Sequence, residues 1–263
     1  MKSIKFLLGA LLLLPLGMPA HADGSFREQA RFQAAAARQG ATADKHCFYA
    51  IDNRRIVQYS LQGDSLNQWQ AQGEELKNMY HLNSGTVVGD KLYCAHSNYP
   101  RLPMTSSIEV FDTRTMEHVQ SISLGIRYGS LTWLTPQGEN WYAFFAHYEN
   151  KSQEPGKDVS WSQLVLFDRN WQPLQAWTLP QELVEKVRPH SLSGGVLADS
   201  LFYCTGHDAA ECYVLKLPTA GSSLIWVDTL PIPFHGQAFG FDPQGNLWGI
   251  ERSTREVIQA VRE

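Results

Sequence analysis

The feature that most constrains this chain is an internal repeat. His81-Leu82-Asn83-Ser84-Gly85-Thr86-Val87-Val88-Gly89-Asp90 recurs as His190-Ser191-Leu192-Ser193-Gly194-Gly195-Val196-Leu197-Ala198-Asp199, and each copy runs into an aromatic strand, Leu92-Tyr93-Cys94 or Leu201-Phe202-Tyr203-Cys204. Weaker copies start at Gln39 before Cys47-Phe48-Tyr49, at Gly129 before Asn140-Trp141-Tyr142, and at Gln237 before Leu247-Trp248. Two further short alternating strands follow, as in Ser107-Ile108-Glu109-Val110-Phe111 and His118-Val119-Gln120-Ser121-Ile122, with the turn Asp112-Thr113 between them. Self-similarity at this spacing marks a repeat architecture, in which each unit buries its apolar faces only against its neighbours. Four strands in each of five copies predict an all-β, five-bladed β-propeller of four-stranded antiparallel blades.

The last copy stops after its third strand, Glu256-Val257-Ile258-Gln259-Ala260, and would leave a sheet edge open to pairing with other chains. The segment Gln29-Ala30-Arg31-Phe32-Gln33-Ala34 stands ahead of the first copy as Val227-Asp228-Thr229-Leu230-Pro231 stands ahead of the last. An N-terminal strand completing the last blade is therefore expected. The run Ala34-Ala35-Ala36-Ala37 also suits a short helix, the other reading of this segment.

Residues 1–22 read as a signal peptide: Lys2 and Lys5, an apolar run from Phe6 to Leu16, then Ala20-His21-Ala22. That run is shorter than the roughly 20 residues of a membrane span. Residues 23–263 are expected to form one exported domain, periplasmic or secreted, without a membrane span and monomeric. Loss of Lys2 and Lys5 takes the formal charge from −4 to −6, and no basic cluster in the sequence suggests a nucleic-acid partner. Export permits disulfides among Cys47, Cys94, Cys204 and Cys212. Cys204 and Cys212 flank one hairpin loop, and the alternative is four small buried strand residues.

Strand direction alternates within a blade, so the start of strand one, the end of strand two and the start of strand three share one face of the disc. Strand-one starts supply His81, His190 and His235 to that face. Strand-two ends supply Asp52, His96, His147, His207 and Glu251. The long loops 97–106 and 149–160 lie there too, with Tyr99, Arg101, Glu154, Lys157, Asp158 and Trp161 as a partial lid. Imidazole and carboxylate groups suit Zn, Mn, Fe or Ni, so Asp52, His96, His147, His207 and Glu251 form a candidate metal set. Without a metal, His96, His147, His207 and Glu251 are candidate catalytic acids and bases. His81, Tyr99, Arg101, His190 and His235 are candidate substrate contacts. The competing reading of any one such histidine is a hydrogen-bonded residue at a strand end, since no compact ligand motif is present. His118, in an outer strand, reads as surface. Asp44, Asp90, Asp199 and Asp242 recur at the far end of strand one and read as turn caps. No Gly-x-Ser-x-Gly elbow is present, which disfavours a serine hydrolase.

The pattern Ser84-Gly85-x-Val87-x-x-Asp90-x-Leu92-Tyr93, followed by Ser107-x-Glu109-Val110-Phe111-Asp112-Thr113-x-Thr115, resembles that of bacterial β-propellers, including the glutaminyl cyclotransferases and exported relatives. The resemblance spans the mature chain at the level of fold and implies five blades. For the cyclotransferase type it implies cyclisation of an N-terminal glutamine. The histidines at the strand-two ends depart from that family, and no catalytic residue is carried over. Two functions follow. One is an exported enzyme acting on a small polar substrate by metal- or histidine-assisted hydrolysis, elimination, cyclisation or isomerisation. The other is a non-catalytic propeller that holds a small-molecule, peptide or saccharide ligand, or a partner protein, on the same face.

Overall fold

Strand β1 (Phe26–Gln33) opens the computed structural model, which describes residues 24–263; the leader expected over 1–22 lies outside the described residues. Four meanders follow. Blade one holds β2 (Gly40–Ala43), β3 (Cys47–Asp52), β4 (Arg55–Ser60) and β5 (Ser65–Gln70). Blade two holds β6 (His81–Val88), β7 (Lys91–Ser97), β8 (Ser106–Asp112) and β9 (His118–Gly125). Blade three holds β10 (Ser130–Gln137), β11 (Asn140–Ala146), β12 (Gln163–Phe167) and β13 (Pro173–Thr178). Blade four holds β14 (Gly194–Ala198), β15 (Leu201–Thr205), β16 (Glu211–Lys216) and β17 (Ile225–Pro231). Blade five holds β18 (Gly240–Phe241), β19 (Leu247–Glu251) and β20 (Glu256–Arg262), and β1 pairs antiparallel with β20 as its outermost strand.

Each first strand touches the next one around the axis, from β2 to β6, β10, β14 and β18, and β18 touches β2 again. That order explains the burial gradient: β2 is buried throughout, whereas β13 at the rim exposes most of its residues. Close approach near the axis excludes side chains at some positions. A Cβ on Gly194 would lie 2.6 Å from the Cα of Ala238, and one on Gly195 would lie 2.4 Å from the Trp133 indole. Trp133 itself is buried between blades three and four, stacked on Phe144 at 5.4 Å between ring centroids. The last blade is fastened to β1 by the Phe32 ring against Phe48 and Trp248 and by the pair Arg31–Glu256 at 2.7 Å. Ala34–Ala37 form a turn leading into blade one.

The four cysteines are free thiols, all buried. Cys204 and Cys212 lie on paired strands, but the register is Cys204 opposite Tyr213 and Thr205 opposite Cys212. That offset of one residue sends the two sulfurs to opposite faces of blade four, Cys204 among Tyr142 and Phe202 and Cys212 among Leu230 and Phe234. The turn-capping role of the repeated aspartates holds at Asp44, which accepts from the backbone N–H of His46 and Cys47, and at Asp242, which accepts from those of Gln244 and Asn246. The helix α1 (Gln181–Val187), which no sequence pattern announced, buries Leu183, Val184 and Val187 beside blades three and four. No helix of the described residues is long and apolar enough to cross a membrane.

Candidate functional site

The loop face carries a narrow central well of about 110 Å³ between two wider depressions of about 750 and 600 Å³. Every blade or its incoming connector contributes to the well, with Gln39, His81, Thr132, His190, His207 and Gln237 among its walls. This convergence follows from the ring: strand-one starts lie nearest the axis, so residues far apart in sequence meet there.

His81, His190, His207 and Tyr99 all line the well. The His190 and His207 rings stack at 4.1 Å between centroids. Asp208 approaches both rings at Nδ1, at 2.6 Å from His207 and 3.8 Å from His190, and does not itself line the well. Ring geometry points Nε2 away from Nδ1, so Asp208 orients the pair from behind. Among the described residues no hydrogen bond engages Nε2 of His207 or either ring nitrogen of His190. Burial and the neighbouring His207 hold the His190 imidazole below its usual pKa, which keeps it neutral and able to ligate or accept a proton. Burial likewise pushes His81 down to about 3, with His96, Arg252 and Arg38 adding to the effect. His81 packs on Tyr99 at 5.0 Å, and Tyr99 meets Tyr148 edge to face at 5.2 Å.

The five-residue metal set expected from the strand-two ends does not assemble. Asp52, His96, His147 and Glu251 each turn toward the segment entering their own blade and are consumed there. Asp52 sits between Arg38 at 3.8 Å and Arg255 at 3.7 Å. His96 accepts at Nε2 from the Tyr80 N–H at 3.0 Å. His147 donates from Nε2 to the Tyr128 carbonyl at 3.0 Å. Glu251 pairs with His235 at 2.9 Å. These contacts fasten the connector to the strand it passes, and among the described residues only His190, His207 and Asp208 bring three ligand atoms within 4.8 Å of one another.

His96 and His147 are further enclosed. Because Nε2 of His96 accepts, its Nδ1 carries the proton and donates to Ser107 Oγ at 2.8 Å, and Ser107 donates to Glu109 Oε1. Burial pushes His96 down to about 4. Glu109 is buried, which raises its carboxyl, but donors on His118, Ser107 and Ser121 outweigh that and hold it below the usual range. His118, expected at the surface, is thus part of a buried network, with Nε2 at 2.8 Å from Glu109. His147 Nδ1 lies 3.0 Å from Glu154 Oε2, a contact that holds the 149–160 loop when the ring carries both protons; burial and Lys157 hold this imidazole below its usual pKa against the pull of Glu154 and the Tyr128 carbonyl.

Arg101 lies over the Tyr80 ring at 4.0 Å and donates to its hydroxyl at 2.6 Å, at the edge of the wider depression. His235 and Glu251 line the other depression together with His207 and Asp208. Sequence reasoning missed Asp208 and Arg252, each one residue beyond a strand-two end that it had singled out. Arg252 lines the well and both depressions.

No protein-family model and no curated protein matches the sequence. Among solved structures the chain is similar to a glutaminyl cyclase from Myxococcus xanthus, at 8% identity and a TM-score of 0.61, over 91% of this chain and 97% of that one. It is also similar, more loosely, to a luciferin-regenerating enzyme, at 12% identity and a TM-score of 0.48, over 83% and 73% of the two chains. At 8% identity the first likeness establishes the fold and leaves the chemistry to the residues: the chain shares the β-propeller architecture of the cyclase.

Proposed function

We propose that the protein is an exported enzyme that holds a divalent transition metal on His190 and His207, with Asp208 orienting the rings from behind, and acts with it on a small polar substrate in the central well. The observation that carries this reading is the stacked imidazole pair lining the well, with unengaged ring nitrogens and a carboxylate behind it. Two imidazoles suit Zn, Mn, Fe or Ni, and the positions they leave would be open to water and substrate. Bringing both imidazoles onto one ion would take side-chain rotation, which the half-buried rings permit. A metal so placed would polarise a substrate oxygen or lower the pKa of a bound water. Export rests on the leader sequence, and His81 and Tyr99 serve as walls that position the substrate.

Metal analysis of protein purified without a His tag tests the reading. One equivalent of metal is expected in the wild type and in His96→Ala, and none in His190→Ala combined with His207→Ala. Wild-type protein that takes up no metal after incubation with Zn or Mn overturns it. The imidazole pair would then stand as a metal-free acid and base or as part of a binding surface, which substrate turnover separates.

A further inference from the structure

The wider depression beside the well is lined by Arg38, Arg54, Arg55, Arg101, Lys151 and Arg252, and among the described residues Asp52 is its sole carboxylate. That concentration of positive charge stands on a chain whose formal charge is −4. Among these six cations only Arg38 has a carboxylate within 4.0 Å among the described residues, and it shares that group, Asp52, with Arg255. Arg54 and Arg101 are fixed around Tyr80 at 5.6 and 4.0 Å from its ring, and Arg54 Nε donates to the Met79 carbonyl. Arg252 is half-buried where the three cavities meet, with no hydrogen bond or ion pair among the described residues. Burial and the like charges of Arg38 and Arg255 depress its pKa and outweigh the opposing pull of Asp208 and Asp52. A guanidinium in that position is unfavourable in isolation and favourable once an oxyanion meets its planar fork.

We propose that this depression binds the anionic portion of a small molecule bearing at least two oxyanion charges, a di- or tricarboxylate or a phosphate ester, with Arg252 as the central contact. The proposal rests on the reading of the well as the ligand site. The depression's 750 Å³ falls within the roughly 300–1,000 Å³ of small-molecule pockets, whereas the 110 Å³ well admits only the part of the ligand that reaches the imidazole pair. Arg38 and Arg101 supply further positive charge on the same walls. Charge on this face also steers anions toward it, an effect that salt screens.

Isothermal titration of chelator-treated protein with citrate, with inorganic phosphate and with glycerol as an uncharged comparator tests the proposal. Citrate or phosphate is expected to bind one to one, more weakly as salt rises, and glycerol not to bind. Citrate alone identifies the carboxylate class and phosphate alone the phosphate ester. Arg252→Gln is expected to weaken binding about tenfold or more, and Arg252→Lys, which keeps the charge without the fork, by less. Arg169→Gln, at a turn on the opposite face, should change nothing. If Arg252→Gln does not fold, Lys151→Gln on the exposed loop should still weaken binding about two- to fivefold. No binding of either anion, or binding that the Arg252 or Lys151 variants leave unchanged, overturns the proposal. Because the chelated protein carries no metal, Arg252-dependent anion binding in a protein that never takes up metal leaves this inference standing and removes only the metal.

Discussion

Blades two and four carry the same aromatic-Cys pair at the same register, yet their histidines have opposite fates. His96 follows Tyr93 by three residues and His207 follows Tyr203 by four. In blade two, the side chains of Leu92 and Cys94 face blade one, and His96 continues that row to meet the Tyr80 N–H. By the same strand parity, the blade-two position that matches His207 is Ser97 and the blade-four position that matches His96 is Gly206. One residue of offset therefore separates an imidazole locked into a buried hydrogen-bond network from one stacked at the wall of the central well. Blade three repeats the blade-two outcome, with His147 tied to Tyr128. An ionisable residue at a strand end is thus a fastening when it faces the incoming connector with a hydrogen bond. It becomes available for chemistry when stacking takes the place of that bond.

The contrast predicts its largest effect in stability. His96→Ala orphans the Tyr80 N–H, removes a donor from the Ser107–Glu109 chain and leaves a cavity, for an expected loss of about 2–4 kcal/mol in urea unfolding. His147→Ala should fall in the same range, because the Tyr128 carbonyl and Glu154 lose a shared partner. A loss below 0.5 kcal/mol for both, on the order of an ordinary surface change, would erase the distinction.

Acid should act on the same group. The unfolded chain protonates His96 near its ordinary 6.5, while the folded protein resists protonation until about pH 4. The unfolded state therefore binds more protons in that window, and stability is present above pH 6.5 and declines as pH falls toward 4. The full contribution is about 3 kcal/mol. His96→Asn should flatten the pH dependence between pH 7 and 4 relative to wild type, measured by urea midpoints. An unchanged slope would show that the burial of this imidazole is not what acid attacks.

The smallest stability effects belong to the open pair. His190→Ala and His207→Ala should cost about 1 kcal/mol or less, because among the described residues the rings make one short polar contact, His207 to Asp208. Asp208→Asn should alter stability by no more than about 0.5 kcal/mol while weakening metal uptake about tenfold or more, since orientation of a ligating imidazole depends on the partner at its other nitrogen. Equal metal uptake by Asp208→Asn and wild type would reduce Asp208 to a bystander.

Repetition of His81–Asp90 at His190–Asp199, and the three weaker copies, were enough to fix the number of blades and the face on which strand-two ends emerge, because antiparallel alternation leaves no choice of direction. The sequence also put Asp52, His96, His147, His207 and Glu251 at strand-two ends. It did not show to which side of each sheet they turn, since that depends on registers such as Leu82 opposite His96, with its bulge before Gly85, and on the course of connectors through Tyr80 and Tyr128. Nor did it reveal Arg252, which means little beside Glu251 in the chain and acquires its place only where blades one, two and five come together. Short-range pattern determined the ring, because strand alternation and turns are local. The pocket was decided by tertiary structure, because its electrostatics and free valences arise from groups on separate blades whose nearness no spacing in the sequence encodes.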